Sequence, residues 1–108
     1  MNDKENTIYK VLDAVVGCCS MDIDGVQSVT REDVLGKSKK SNAVMTRAIY
    51  VTEMLFLGYT TETIAMVLHR TEKDIRHLLN SAHQFRISSY AYRVAEAEAT
   101  LLCKDMMK

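Results

Sequence analysis

Proline and tryptophan are absent from this chain, and glycine occurs only four times. A sequence so poor in turn residues cannot punctuate a series of short strands, which argues against a β-sandwich or β-barrel. Two Phe and five Tyr, without Trp, make a poor aromatic platform for stacking bases. The cysteines, Cys18, Cys19 and Cys103, are odd in number and two are adjacent. They form no disulfide framework and point to a reducing, intracellular setting. Zinc favours a Cys-x-x-Cys pair or a close His pair. His69, His77 and His83 stand eight and six residues apart and fit neither pattern, so no metal or other cofactor is expected. No apolar run approaches the ~20 residues that span a bilayer. The opening residues, MNDKENTIYK, lack the basic start and apolar run of a secretory signal. The expectation is a cytoplasmic protein with no membrane association. An excess of charge is also missing, because fourteen basic residues balance fourteen acidic ones; a histone-like or polybasic chain is excluded.

What the sequence has is helical periodicity. Its 108 residues, 47% of them hydrophobic, suit one domain over 1–108 with a real core. Ile8, Val11, Leu12, Val15, Val16 and Cys19 follow the stripe of an amphipathic helix, predicted over 5–18. Residues 20–28 read as a loop. Thr30 with Asp33 resembles a capping box and opens a short helix over 31–35, which Gly36 is placed to stop. A basic loop, Lys37 to Asn42, leads to a long helix over 43–57, with Val44, Ala48, Val51 and Leu55 on one face and Gly58 at its end. Thr60 or Thr61 caps a helix over 61–68. Thr71 with Asp74 repeats the cap signal ahead of a helix over 72–84. A last helix is predicted over 88–105, with Tyr90, Val94, Ala97 and Leu101 inward. The fold class is therefore all-α, with about six helices joined by short connections.

Residues 61–80 match a helix-turn-helix template. Ala65 fills the position where the two helices nearly touch, and Ile64, Leu68, Ile75 and Leu78 fill the apolar positions that lock them together. His69 stands at the turn, where the backbone needs φ > 0. Gly is usual there, and His is among the few other residue types enriched in that conformation. The second helix presents Thr71, Glu72, Lys73, Arg76, His77 and Asn80 outward. Such a helix fits the DNA major groove, where Arg, Lys and Asn match base donors and acceptors. The zero net charge hides two basic segments. Residues 28–50 hold five basic and two acidic residues, a net of +3, and residues 69–86 hold four and two, a net of +2. A DNA binder needs cations near phosphates rather than a high overall pI.

The stretch from about Ile8 to Ala82 resembles the C-terminal DNA-binding domain of the bacterial replication initiator DnaA. Val29, Asp33, Val34 and Leu35 occupy that family's short I-x-x-x-D-L segment, and Lys37, Lys39 and Lys40 its basic loop. Arg47 matches the Arg of its long helix, with Ile49 following as an apolar residue. Thr61, Ile64 and Ala65 match its Ser-x-x-x-Ile-Gly. Arg70 keeps the Arg of the family's G-G-R-D-H-T-T-V signature and Ile75 replaces its Val, but Thr71 to Asp74 stand where D-H-T-T would be. The resemblance implies a Trp-repressor-like or DnaA-like helix-turn-helix bundle, to which the helix over 88–105 is a C-terminal addition. It implies a stand-alone domain of bacterial or phage type, not the initiator's own DNA box. Without a G-x-x-x-x-G-K-[ST] loop the chain is no initiator ATPase.

No catalytic constellation emerges. Glu96 and Glu98 fall on different faces of a helix, and Cys18 and Cys19 lie at the wrong helix pole for an activated thiol. The expectation is a non-enzymatic binder of double-stranded DNA, acting as a small replication- or transcription-related regulator. Lys37, Lys39, Lys40, Arg47 and Thr71 would meet phosphates, with Arg70, Lys73, Arg76, His77 and Asn80 at the motif helix. The alternative is a protein-interaction module of the same fold, with Glu72 and Asp74 as its best support. Homo-oligomerisation stays open.

Overall fold

The computed structural model describes residues 3–20, 29–38 and 40–106, in six helices. They are α1 (Asp3–Ser20), α2 (Arg31–Leu35), α3 (Ser41–Phe56), α4 (Thr61–Leu68), α5 (Glu72–Ser88) and α6 (Tyr90–Met106). No strand occurs among the described residues. Each expected helix is present, with ends displaced by a few residues at most. The expected 20–28 loop lies almost wholly outside the described residues. None of the described helices is long and apolar enough to cross a membrane.

The local signals act as the chemistry dictates. Thr30 Oγ1 accepts from the Asp33 N–H and Asp33 Oδ2 from the Thr30 N–H, both at 3.1 Å, which closes the box that starts α2. Gly36 does end α2, but in an extended conformation (φ −88°, ψ −159°). Its need for glycine is steric, since a Cβ there would lie 2.8 Å from the Glu32 carbonyl oxygen. The ends of α3 and α4 share one device. After α3, Gly58 has φ 98°, and the N–H groups of Gly58 and Tyr59 donate to the carbonyls of Leu55 and Met54. After α4, His69 has φ 55°, and the N–H groups of His69 and Arg70 donate to those of Met66 and Ala65. Both are Schellman turns, in which one left-handed residue lets the chain satisfy the last helical carbonyls.

The core is one contiguous cluster around α3. This helix touches all five others and buries residues on every side, including Ala48, Ile49, Tyr50, Val51 and Met54. Val11, Leu12 and Val15 supply the α1 stripe, and Ile64, Ala65, Leu68, Ile75 and Ala82 seal α4 and α5. The α6 stripe differs from the expected one. Tyr92, Ala99 and Cys103 face inward, whereas Tyr90 is 68% and Leu101 64% exposed. Ala97 is also exposed, and Val94 only half-buried. Apolar residues line more than one side of α6, and the buried side combines the large Tyr92 with the small Ala99 and Cys103.

A buried polar cluster sits beside that seam. Glu53 is 2% exposed. Its Oε1 accepts from Thr100 Oγ1 at 2.6 Å, and its Oε2 has no partner. Burial pushes this carboxyl above its ordinary range. Glu96 pairs with Arg86 at 2.7 Å. The three cysteines are free thiols. Burial raises Cys19 and Cys103 to about 11, so both are inert as nucleophiles near neutral pH.

Candidate nucleic-acid interface

The α4–α5 pair is joined by the left-handed residue His69, and Ala65 is 5% exposed at the contact between its helices. Thr71 caps α5. Its Oγ1 accepts from the Asp74 N–H at 3.1 Å, while Asp74 Oδ2 accepts from the Thr71 N–H at 3.3 Å. These bonds hold the Asp74 carboxyl below its ordinary range. They also engage the Thr71 N–H internally, so that group is not free to meet a phosphate. Glu72, the other first-turn acid, accepts from the Thr61 hydroxyl at 3.3 Å. Beyond Asp74, α5 carries no acidic residue. Ile75 and Ala82 face the core, while Lys73, Arg76, His77 and Asn80 are exposed at helical spacing along the opposite side.

The α2–α3 loop lies against the start of this helix. Lys37 and Lys40 are exposed there, and Lys39 falls outside the described residues. Arg47 does not join them at the surface. It is 3% exposed, and its guanidinium donates to the carbonyls of Val34 (2.8 Å), Ser38 (2.7 Å), Asp33 (2.7 Å) and Gly36 (3.0 Å). The expectation that Arg47 meets a phosphate is corrected accordingly. A five-residue helix leaves its last carbonyls without intrahelical donors, and Arg47 satisfies them from the side. Desolvation, with the nearby charge of Arg70, lowers its pKa. Arg70 is half-buried and has a related task. It donates to Leu68 O at 3.0 Å and across to Gly36 O at 2.9 Å. The Gly36 carbonyl thus accepts from both arginines and ties the helix-pair turn to the basic loop.

Of the ten residues expected at the interface, Lys37, Lys40, Thr71, Lys73, Arg76, His77 and Asn80 are exposed on this side of the molecule or along α5. Between loop and turn lies a cleft of about 300 Å³, lined by Lys37, Ser38, Arg47, His69, Arg70 and Asp74. The sequence did not reveal Ser38 and His69 as cleft residues. Their juxtaposition depends on the Arg70–Gly36 bond, which joins positions 34 apart, and no local pattern reports it. Among the described residues, no group of three or more His, Cys, Asp or Glu is placed to hold a metal. No family model matches this chain, and no curated protein or solved structure matches it.

Proposed function

We propose that the chain binds double-stranded DNA, with α5 in the major groove and the α2–α3 loop on the flanking backbone. The observation that carries this reading is the exposed side of α5. Lys73, Arg76, His77 and Asn80 line it, the two acids of its first turn, Glu72 and Asp74, are tied by hydrogen bonds to Thr61 and Thr71, and no acid follows Asp74 along the helix. Those two acids were the support for a protein-interaction module, and their internal bonds weaken it. Arg, Lys and Asn on a groove-sized helix read base edges, while cations beside it grip phosphates. The resemblance to the DnaA DNA-binding domain supports the same docking. The divergence at Thr71 to Asp74 fits a different target sequence and a regulatory rather than an initiating role.

The test is fluorescence anisotropy with random-sequence duplex across a salt series. With Arg47 withdrawn from the surface, about four phosphates are neutralised, and log K falls against log salt with a slope of about −4. Absence of duplex binding at low salt would refute the reading and move the search to a protein partner.

A further inference from the structure

The cleft between the basic loop and the helix-pair turn has a charge imbalance that duplex binding alone does not explain. Lys37, Arg47 and Arg70 bring three positive charges to it and Asp74 one negative charge, while the Asp33 carboxylate also acts on Arg47. Among the described residues the ion pairs are Arg31–Asp13 and Arg86–Glu96, so neither cleft arginine has a carboxylate within ion-pair distance. Their partners are neutral carbonyls, which orient a guanidinium without cancelling its charge. Placing two like charges together, one of them almost fully buried, is unfavourable unless an anion offsets them.

We propose that this cleft is an oxyanion seat that takes a single dianionic phosphoryl group, supplied free as phosphate or as a phosphomonoester. The two arginines divide the work. Arg47 donates four hydrogen bonds to carbonyls, so it supplies a fixed positive field from below. Arg70 donates two, which leaves about three of a guanidinium's five N–H groups for a ligand. A planar fork of this kind grips a phosphoryl group through two oxygens at once. Lys37 and the Ser38 hydroxyl close the loop side, and His69 the turn side. Three positive charges at the lining, against Asp74 there and Asp33 near Arg47, leave the cleft net positive, and a phosphomonoester, with two charges and three free oxygens, meets it better than a phosphodiester, with one charge and two. The seat goes beyond groove binding, because it requires no base and no duplex.

The test is thermal melting and backbone-amide NMR of the whole chain, titrated with inorganic phosphate at pH 7.5 against sodium chloride at equal ionic strength. At a phosphate concentration ten times Kd, Tm rises by about 5–10 °C over the chloride control. The amide shifts centre on Gly36, Lys37, His69 and Arg70. Arg70→Gln lowers affinity at least tenfold. Lys37→Ala, at an exposed position where folding is not at stake, lowers it by a smaller factor and keeps the proposal testable if Arg70→Gln unfolds. Equal Tm in phosphate and chloride, shifts centred elsewhere, or affinity unchanged by either substitution would overturn it. Short duplexes with 5′-phosphate or 5′-hydroxyl ends separate the sources: tighter binding of the phosphorylated duplex assigns the seat to a strand terminus, and equal binding together with a phosphate response assigns it to a free ligand. Duplex binding without a phosphate response refutes the seat and leaves the DNA reading standing; a phosphate response without duplex binding does the reverse.

Discussion

Replacing Arg47 with Met separates its structural task from any contact with DNA. Methionine keeps an unbranched stem in the same space and removes the guanidinium. Four carbonyls, those of Asp33, Val34, Gly36 and Ser38, then lose a charged donor. A hydrogen bond to a charged group contributes about 1.5–3 kcal/mol, and a buried acceptor left unpaired costs about 1–3 kcal/mol. The four losses are not additive, because Asp33, Gly36 and Ser38 are only half-buried and water can reach them. Removing a desolvated charge also returns some stability. The expected net loss is about 3–4 kcal/mol, a large fraction of a small domain's stability. For a chain of this size that lowers Tm by about 12–25 °C. Urea unfolding followed by circular dichroism reads the free energy, and anisotropy with duplex reads binding in the same samples. Below the melting transition, the salt slope for duplex should stay at the wild-type value, since Arg47 reaches no phosphate. A loss below about 1 kcal/mol, or a slope flattened by about one unit with stability intact, would show that Arg47 acts at the surface and that the α2 end is held by other means.

Three further outcomes follow from the same geometry. His69→Gly removes the strain of a left-handed non-glycine residue, so stability rises by about 0.5–1 kcal/mol in urea denaturation; a clear loss would mean the turn is not the one described. Glu53 has a folded-state pKa above its unfolded value, so the stability linked to its proton is complete below the unfolded value, about 4.3, and is lost as pH rises through the folded value. Glu53→Gln removes that slope, and melting curves for the two proteins that stay parallel from pH 4 to pH 8 would contradict it. Replacing Lys37, Lys39 and Lys40 with Ala weakens duplex binding equally for all sequences and flattens the salt slope by about one unit for each phosphate no longer neutralised, whereas Arg76→Ala removes about 1–3 kcal/mol on a preferred site selected from a random pool and little on random DNA; equal effects on both probes would remove the division of roles.

The helices were legible because their signals are local. Thr30 with Asp33 and Thr71 with Asp74 are three apart, and each box closes whatever the rest of the chain does. His69 was legible as a left-handed residue because the template demands one there and histidine tolerates it. The inward face of α6 was not legible, since its apolar residues allow more than one stripe and only the shape of α1 and α3 decides between them. The internal hydrogen bonds of Arg47 and Arg70 were hidden for a related reason. Their residue type suggests a surface cation, and nothing near them in sequence tells that the end of α2 will present four carbonyls to one and share Gly36 with both.

The shared Gly36 carbonyl separates what can vary in this molecule from what cannot. Arg47, Arg70, the α2 end and the left-handed turn form one connected chassis, and a change in any of them disturbs the rest. Lys73, Arg76, His77 and Asn80 belong to no such network: their side chains are exposed and make no hydrogen bond within the protein. Substitutions at sites of that kind usually change stability by no more than about 0.5 kcal/mol. Selection, or a designer, can therefore rewrite the outer side of α5 repeatedly while the chassis keeps the helix at the same angle and height. With α5 reading DNA as proposed, the target preference of such a protein is free to drift faster than its fold.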